Sequence, residues 1–255
     1  MSSEPHADFA LPPIAAATRR ILVFVAMEHE AAPIAAALGL SRAGNARVGR
    51  VADAQVVLVT PGIDPAASVD RIGPVHAAAT LTRALVGARE PFDLVVNAGT
   101  AGGFEAHGQR IADLVIARDT MFHDARVAIG GFDRIARAHT RLSADEAMLA
   151  RLARELDART GLVSTGASLD ATADELAHFA RSGARAKEME LAALAVVCRL
   201  QQVPLVAIKG ITDLVDHHEP THDAFLRNLE RTAARVAAAS GPFLETILRS
   251  GDEAR

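Results

Sequence analysis

From residue 20 to the end of the chain, short apolar runs alternate with stretches whose apolar residues recur at helical spacing. Residues 21–27 (ILVFVAM) form an unbroken apolar run rich in branched side chains, which predicts a buried strand. Residues 31–40 then predict a helix, with Pro33 in the first turn, where a missing N–H is tolerated. Residues 56–60 (VVLVT) predict a second strand, stopped by Pro61-Gly62. Residues 68–86 are mostly helical in pattern, kinked or restarted at Gly73-Pro74. Residues 92–96 predict a third strand running into a loop of small residues, 97–103, and residues 113–117 predict a fourth. Residues 127–140 have no clean period. Residues 143–159 predict an amphipathic helix, with Ser143 and Glu146 spaced as a capping box. A strand at 162–165, a short helix at 172–181, an apolar helix at 190–202, a strand at 204–211 and a long helix at 221–249 complete the pattern.

Strand–helix alternation of this kind predicts a three-layer α/β/α domain around a largely parallel sheet. Residues 19–255 are expected to form that single domain. Residues 1–18, with three prolines and no period, are expected to be a flexible arm. In such sheets ligands sit beyond the carboxyl ends of strands. That directs attention to residues 28–30, 60–64, 97–103, 165–170 and 212–216.

Composition narrows the chemistry. Of 255 residues, 50% are hydrophobic and 23% charged, which excludes wholesale disorder. A formal charge of −4 argues against a nucleic-acid partner, whose backbone demands a positive surface. The aromatic residues are all Phe, with no Tyr and no Trp, so there is no phenolic acid or base and little material for stacking platforms. The lone Cys198 excludes an internal disulfide and a cysteine-based zinc site, and a reducing, cytoplasmic setting is expected. Arg19-Arg20 precedes the first apolar run as in a signal sequence. That run is interrupted too soon by Glu28, His29 and Glu30, so no membrane association is expected.

Several segments carry candidate chemistry. Glu28-His29-Glu30 at a strand end is either a base or ligand group, or an acidic helix start favoured by the macrodipole. The small residues of 97–103 let backbone approach a ligand, or make a tight turn; they match neither a phosphate-binding P-loop nor a dinucleotide fingerprint. Lys187-Glu188-Met189-Glu190 sets two carboxylates before an apolar helix, where they either cap it or accept vicinal hydroxyls. Lys209 in an apolar strand demands a carboxylate partner. Asp213, followed by Leu214 and Val215, is a candidate buried acid with a raised pKa, or half of a structural ion pair. His123-Asp124 reads as a loop-orienting pair. His217, His218 and His222 lack the spacing of a metal motif, and no metal is expected.

In this order, Val25-Ala26-Met27-Glu28-His29-Glu30, Asn97-Ala98-Gly99-Thr100-Ala101-Gly102-Gly103, Phe122-His123-Asp124, Ser164-Thr165-Gly166, Glu188-Met189-Glu190 and Lys209-Gly210-Ile211-Thr212-Asp213 resemble the motifs of 5′-methylthioadenosine/S-adenosylhomocysteine nucleosidases of the nucleoside phosphorylase superfamily. Ser168-Leu169-Asp170 and Thr212-Asp213-Leu214-Val215-Asp216 are most similar to the plant-type branch. The resemblance spans roughly residues 20–249. It implies hydrolysis of an N-glycosidic bond, releasing adenine and a thioribose, without metal or organic cofactor. Glu30 is implied as the carboxylate that activates water, and Asp213 as the acid that protonates adenine, supported by Thr212. Glu190 is implied as acceptor of the ribose hydroxyls, with Met189 packed on ribose and base and Lys209 near the ribose and the water. Thr100 and Ala101 are implied beside the sugar, Glu188 among the substrate-binding side chains, and Ser168, Leu169 and Asp170 along the adenine edge. The resemblance also implies a homodimer in which residues 127–132 complete the neighbour's pocket. This chain departs from the pattern at Ala167, where many members have Asp, and at Leu191, where a smaller residue is frequent. His222 falls near a position where bacterial members often place an aromatic. The rival readings are a phosphorylase, a nucleosidase for futalosine-like precursors, and a non-catalytic nucleoside-binding protein.

Overall fold

The computed structural model describes residues 9–129 and 131–253. In chain order these form β1 (Phe9–Ala10), β2 (Arg20–Phe24), α1 (Glu28–Ala37), β3 (Ser41–Ala43), β4 (Ala46–Val51), β5 (Ala54–Val59), α2 (Pro74–Val86), β6 (Leu94–Gly103), β7 (Leu114–Phe122) and α3 (Phe132–Ala136). There follow β8 (Thr140–Arg141), α4 (Glu146–Leu156), β9 (Ala158–Thr165), α5 (Ala173–Ser182), β10 (Ala186–Glu188), α6 (Leu191–Gln201), β11 (Leu205–Leu214) and α7 (Thr221–Glu253).

The strands make one mixed sheet in the order β1-β8-β7-β9-β10-β6-β2-β5-β4-β3, with β11 pairing both β6 and β7. Strands β6, β10, β9, β7 and β11 therefore close a ring. Its pairings are parallel for β6–β11, β7–β9 and β9–β10, and antiparallel for β10–β6 and β11–β7. One face buries Val23, Val96 and Ile208 against Ile34 of α1, Leu152 of α4 and Phe243 of α7. The other buries Leu22, Val95 and Ala207 against Leu81 of α2 and Leu194 of α6. This is the expected three-layer α/β/α architecture. Among the described residues no helix is long and apolar enough to cross a membrane.

Several elements differ from the pattern-based expectation, each for a local reason. Helix α1 begins at Glu28, three residues early, because the Glu30 carboxylate accepts the Met27 N–H (3.3 Å) and so closes the first turn. Pro33 thus falls in the second turn. Strands β3 and β4, a hairpin turning at Gly44 (φ 62°), show no clear alternation in the sequence. Residues 97–103 are not a loop: β6 continues to Gly103 because β11 pairs with it along its whole length. Helix α2 starts only at Pro74, after Gly73 with φ 92°, a value that a side chain rarely adopts, and residues 68–73, expected to be mostly helical, are not. Helix α4 is capped not by Ser143 but by Asp145, which accepts the Met148 N–H (2.8 Å). Ser143 Oγ instead accepts the Leu205 N–H (2.9 Å) at the start of β11. The irregular 127–140 segment contains α3 and β8. Residues 9–10 of the expected arm pair in parallel with β8, and Leu11 is buried, so this part lies along the sheet edge. Residues 1–8 lie outside the described residues.

Strand β11 and helix α7 meet at Gly210, where a Cβ would lie 2.7 Å from both Thr232 Cγ2 and Val236 Cγ2. Since both are β-branched side chains on a long helix, neither yields readily. Gly210→Ala is expected to lower stability by about 1–3 kcal/mol, read as a fall in the urea midpoint at unchanged slope.

Candidate active site

The carboxyl ends of β2, β6 and β11, with the β10–α6 junction, surround a cavity of about 720 Å³ including its open mouth. Four buried carboxylates line it: Glu30, Glu188, Glu190 and Asp213.

Glu30 reaches the cavity from the first turn of α1. Its Oε1 accepts the Thr100 N–H (2.6 Å) and the Thr100 hydroxyl (2.7 Å). Gly99 makes room for it: a Cβ there would lie 3.2 Å from Glu30 Oε1. Burial raises the Glu30 pKa above the usual carboxyl value, and the Thr100 hydrogen bonds and the Lys209 charge only partly offset that.

Glu190 precedes α6 and accepts the Gly73 N–H at Oε1 (2.8 Å). Burial, then the negative charge of Glu188, pushes its pKa up to about 7, against the pull of Lys209 and the Gly73 hydrogen bond. Met189, beside it, lines the same cavity.

Asp213 is aimed by a bulge in β11. Ile211 pairs with Ala101, while Asp213 pairs with the very next β6 residue, Gly102, so Thr212 is the extra residue. The Thr212 hydroxyl donates to Asp213 Oδ1 (2.7 Å) and lies 3.2 Å from the Ala101 carbonyl. Burial raises the Asp213 pKa, opposed by the Thr212 hydrogen bond and the charge of Lys187.

The two flanking charges have structural partners. Glu188 accepts from Lys209 Nζ (2.9 Å), the Thr165 hydroxyl (2.5 Å), the Glu190 N–H (3.0 Å) and the Leu191 N–H (3.0 and 3.1 Å). It lines the cavity, yet both its oxygens serve the start of α6 and the buried ion pair, so helix capping is its observed work. Burial opposes the charge of Lys209, but Glu188, Glu190 and Glu30 together raise its pKa above the ordinary lysine value.

On the opposite wall, Leu169 lines the cavity. Ser168 offers its carbonyl to Lys187 Nζ, while Asp170 lines an adjoining groove shared with Leu169 and Val215. Sequence reasoning passed over Lys187, which sits in a three-residue strand too short for any periodicity. It took Asn97 only as part of the 97–103 segment and gave no role to Ile72 or Phe225, which also line the cavity. Val127, Ile129 and Phe132 have exposed apolar side chains and do not line this cavity; residue 130 lies outside the described residues. His217 lies 3.1 Å from Glu105 and His222 3.3 Å from Asp223, and among the described residues no group of three or more His, Cys, Asp or Glu is arranged to hold a metal.

Taken together, the site brings Glu30, on the first turn of α1, and Asp213, at the end of β11, to one cavity with Glu190 beside them. It suits a reaction in which a base is protonated on one side while water is deprotonated on the other.

The model of the phosphorylase superfamily matches residues 20–248. The chain is 34% identical to 5′-methylthioadenosine nucleosidase of Arabidopsis thaliana, over 96% of this chain and 92% of that protein. It is also 34% identical to the 5′-methylthioadenosine/S-adenosylhomocysteine nucleosidase of the same organism, over 85% of this chain and 87% of that protein. The apo structure of Arabidopsis thaliana 5′-methylthioadenosine nucleosidase superposes with a TM-score of 0.82 at 32% identity, covering 90% of this chain and 96% of that one.

Lys209→Met is expected to leave the Glu188 carboxylate buried without its cation. Breaking such a pair costs about 3–5 kcal/mol, to be read as a fall in the chemical-denaturation midpoint.

Proposed function

The chain belongs to the phosphorylase superfamily, in its 5′-methylthioadenosine nucleosidase branch, and from that premise we propose that it hydrolyses the N-glycosidic bond of 5′-methylthioadenosine to adenine and methylthioribose. The observation that carries this reading is the convergence of Glu30, Glu190 and Asp213, all buried, on one cavity.

In this reading Asp213, whose proton affinity burial raises, gives its proton to adenine N7 as the C1′–N9 electrons move into the base. Glu30 takes a proton from water on the other side as the new C1′–O bond forms. The proton balance is restored through solvent. Glu190 accepts the ribose hydroxyls and places negative charge near the cationic sugar. Thr100 orients Glu30 through its two hydrogen bonds, and Ala101 stands beside the sugar. Met189, Leu169 and Phe225 supply apolar packing, with Ser168 and Asp170 flanking the adenine edge.

Charge decides between water and phosphate as the nucleophile. Among the described residues no arginine lines the cavity, and its two lysines already bind Glu188 and main-chain carbonyls. The Thr100 donors already serve Glu30. A phosphate would therefore meet buried carboxylates with no free cation, which is repulsive in a dry site.

The reading extends to a cytoplasmic homodimer whose residues 127–132 cover the neighbour's 5′ end. The exposed side chains of Val127, Ile129 and Phe132 support it, since clustered exposed apolar residues mark association surfaces. Acceptance of S-adenosylhomocysteine depends on that covered end.

Chromatography of reaction products should show adenine released from methylthioadenosine at the same rate with and without added phosphate. Strict dependence on phosphate would reverse the assignment. Asp213→Asn should lower kcat by about 10²–10⁴-fold, while methylthioadenosine affinity changes only a few-fold. Equal loss of both would make Asp213 structural.

Glu190 gives a pH prediction with a definite sign. With its pKa about 7, it accepts two hydroxyls only when ionised, above that pH. Affinity for an uncleavable methylthio nucleoside, measured by calorimetry, should fall as pH drops through about 7, and Glu190→Gln should flatten that dependence. Since the carboxyl ionises near 4.5 when unperturbed, this group also removes stability from the free protein as pH rises towards 7.

A further inference from the structure

Strand pairing aligns three residues on one row across the ring: Lys187 of β10 opposite Gly102 of β6, and Gly102 opposite Asp213 of β11. The middle position has no side chain. A Cβ on Gly102 would lie 2.5 Å from Val215 Cγ2 and 2.7 Å from Asp213 Oδ2, so the Asp213 carboxylate leans over the glycine beside the Val215 methyl. Lys187 and Asp213 line the same cavity.

Lys187 is also the anchor of the loop after β9. Its Nζ donates to the Ser168 and Leu169 carbonyls, the latter at 2.9 Å. The preceding residues are held as well: the Gly166 N–H donates to the Glu188 carbonyl (3.0 Å) and the Ala167 N–H to Asp124 Oδ2 (2.7 Å). At Gly166 a Cβ would lie 2.1 Å from His123 Nε2, so the histidine ring packs directly on that backbone. Because a trans peptide sets C=O and N–H in opposite directions, carbonyls drawn to Lys187 turn the Leu169 and Asp170 N–H groups away from it. Neither N–H has a protein acceptor among the described residues.

We propose that Lys187 is a positioning residue with two linked roles: it fixes the loop 168–169 that borders the purine, and its ammonium, facing Asp213 across the Gly102 gap, sets the proton affinity of the acid. The proposal rests on Asp213 being the general acid of the reaction above. One cation thereby ties the placement of the base to the strength of the group that protonates it.

The charged and titratable groups around Lys187 come from several elements. They are Asp213 on β11, Glu175 on α5, Asp170 in the loop, Glu188 on its own strand and His123 just after β7. Burial lowers the Lys187 pKa below the ordinary lysine value, but Asp213 heads the acids that oppose that shift. Burial and the neighbouring Lys187 charge bring His123 down to about 4, so it is neutral near pH 7 and adds no competing charge to the row.

The test is the pH dependence of adenine release from methylthioadenosine by Lys187→Arg, Lys187→Gln and Lys187→Met. Removing the charge should raise the Asp213 pKa and move the basic limb of kcat/KM upward by about one pH unit in Gln and Met. Arg should restore the wild-type limb. Met, which has no donor for the two carbonyls, should in addition raise KM by about tenfold, the loss of roughly one hydrogen bond to a charged group. If Met does not fold, Gln alone carries the charge test. The inference is overturned if the limb stays in place in every folded variant, whether or not overall activity falls, since a merely structural lysine would lower activity without moving the limb. A wild-type protein that releases no adenine from methylthioadenosine overturns the underlying reading itself.

Discussion

Four carboxylates, Glu30, Glu188, Glu190 and Asp213, are packed around one cavity with only two ammonium groups among them. In a low-dielectric interior that excess of negative charge cannot be fully ionised without a large desolvation cost. The fold resolves the conflict unevenly. Glu188 receives Lys209, a hydroxyl and the N–H groups at the start of α6, and its charge is well satisfied. The other three receive less and hold their protons to higher pH. Glu188 is thereby engaged structurally, while Glu30, Glu190 and Asp213 keep a raised proton affinity. Lys209 thus matters to Glu30 and Glu190 chiefly as the charge that keeps their pKa values from rising further.

The same constraint explains the unusual composition of β6. A central strand normally profits from branched side chains, and glycine weakens it. Here the space above Gly99 is filled by Glu30 and that above Gly102 by Asp213 and Val215. The carboxylates occupy the volume that β6 side chains would otherwise take. Full pairing with β11 keeps such a sparse strand in the sheet, and the bulge at Thr212 brings Asp213 into register with Gly102. The placement of these carboxylates and the composition of the strand are therefore one solution to one packing problem.

Periodicity revealed most of the scaffold, because β2, β5, β11 and α7 bury long apolar patterns that leave a clear trace. The short helix expected at 172–181 matches α5, which a Thr172–Glu175 capping box closes. The errors fall where tertiary contacts outweigh local signals. The β6 extension reads as a loop because its glycines answer to Glu30, Asp213 and Ile211, all distant in sequence. The cap of α4 was misassigned because Ser143 finds its partner in Leu205. Glu30, Glu190 and Asp213 were recognised as candidates because a carboxylate beside an apolar run is conspicuous. The division of labour between Glu188 and Glu190 was not, since it depends on which of them the α6 N-terminus and Lys209 engage.

The absence of Tyr and Trp acquires a physical meaning in this setting. On the proposed reading a purine in this cavity meets Leu169, Met189, Val215 and a single aromatic ring among the described residues, Phe225, and depends otherwise on main-chain groups. Main-chain recognition is only as good as the rigidity of the segment that provides it. That places the demand on the tethers of residues 166–169: the Glu188 carbonyl, Asp124, Lys187 and the His123 ring. Those tethers come from β10 and from the end of β7, two neighbours of β9 in the sheet. The closed ring of strands is what brings them to one short loop. A sheet with an open edge at β9 would leave that loop without one of its supports, whatever residues lined the pocket.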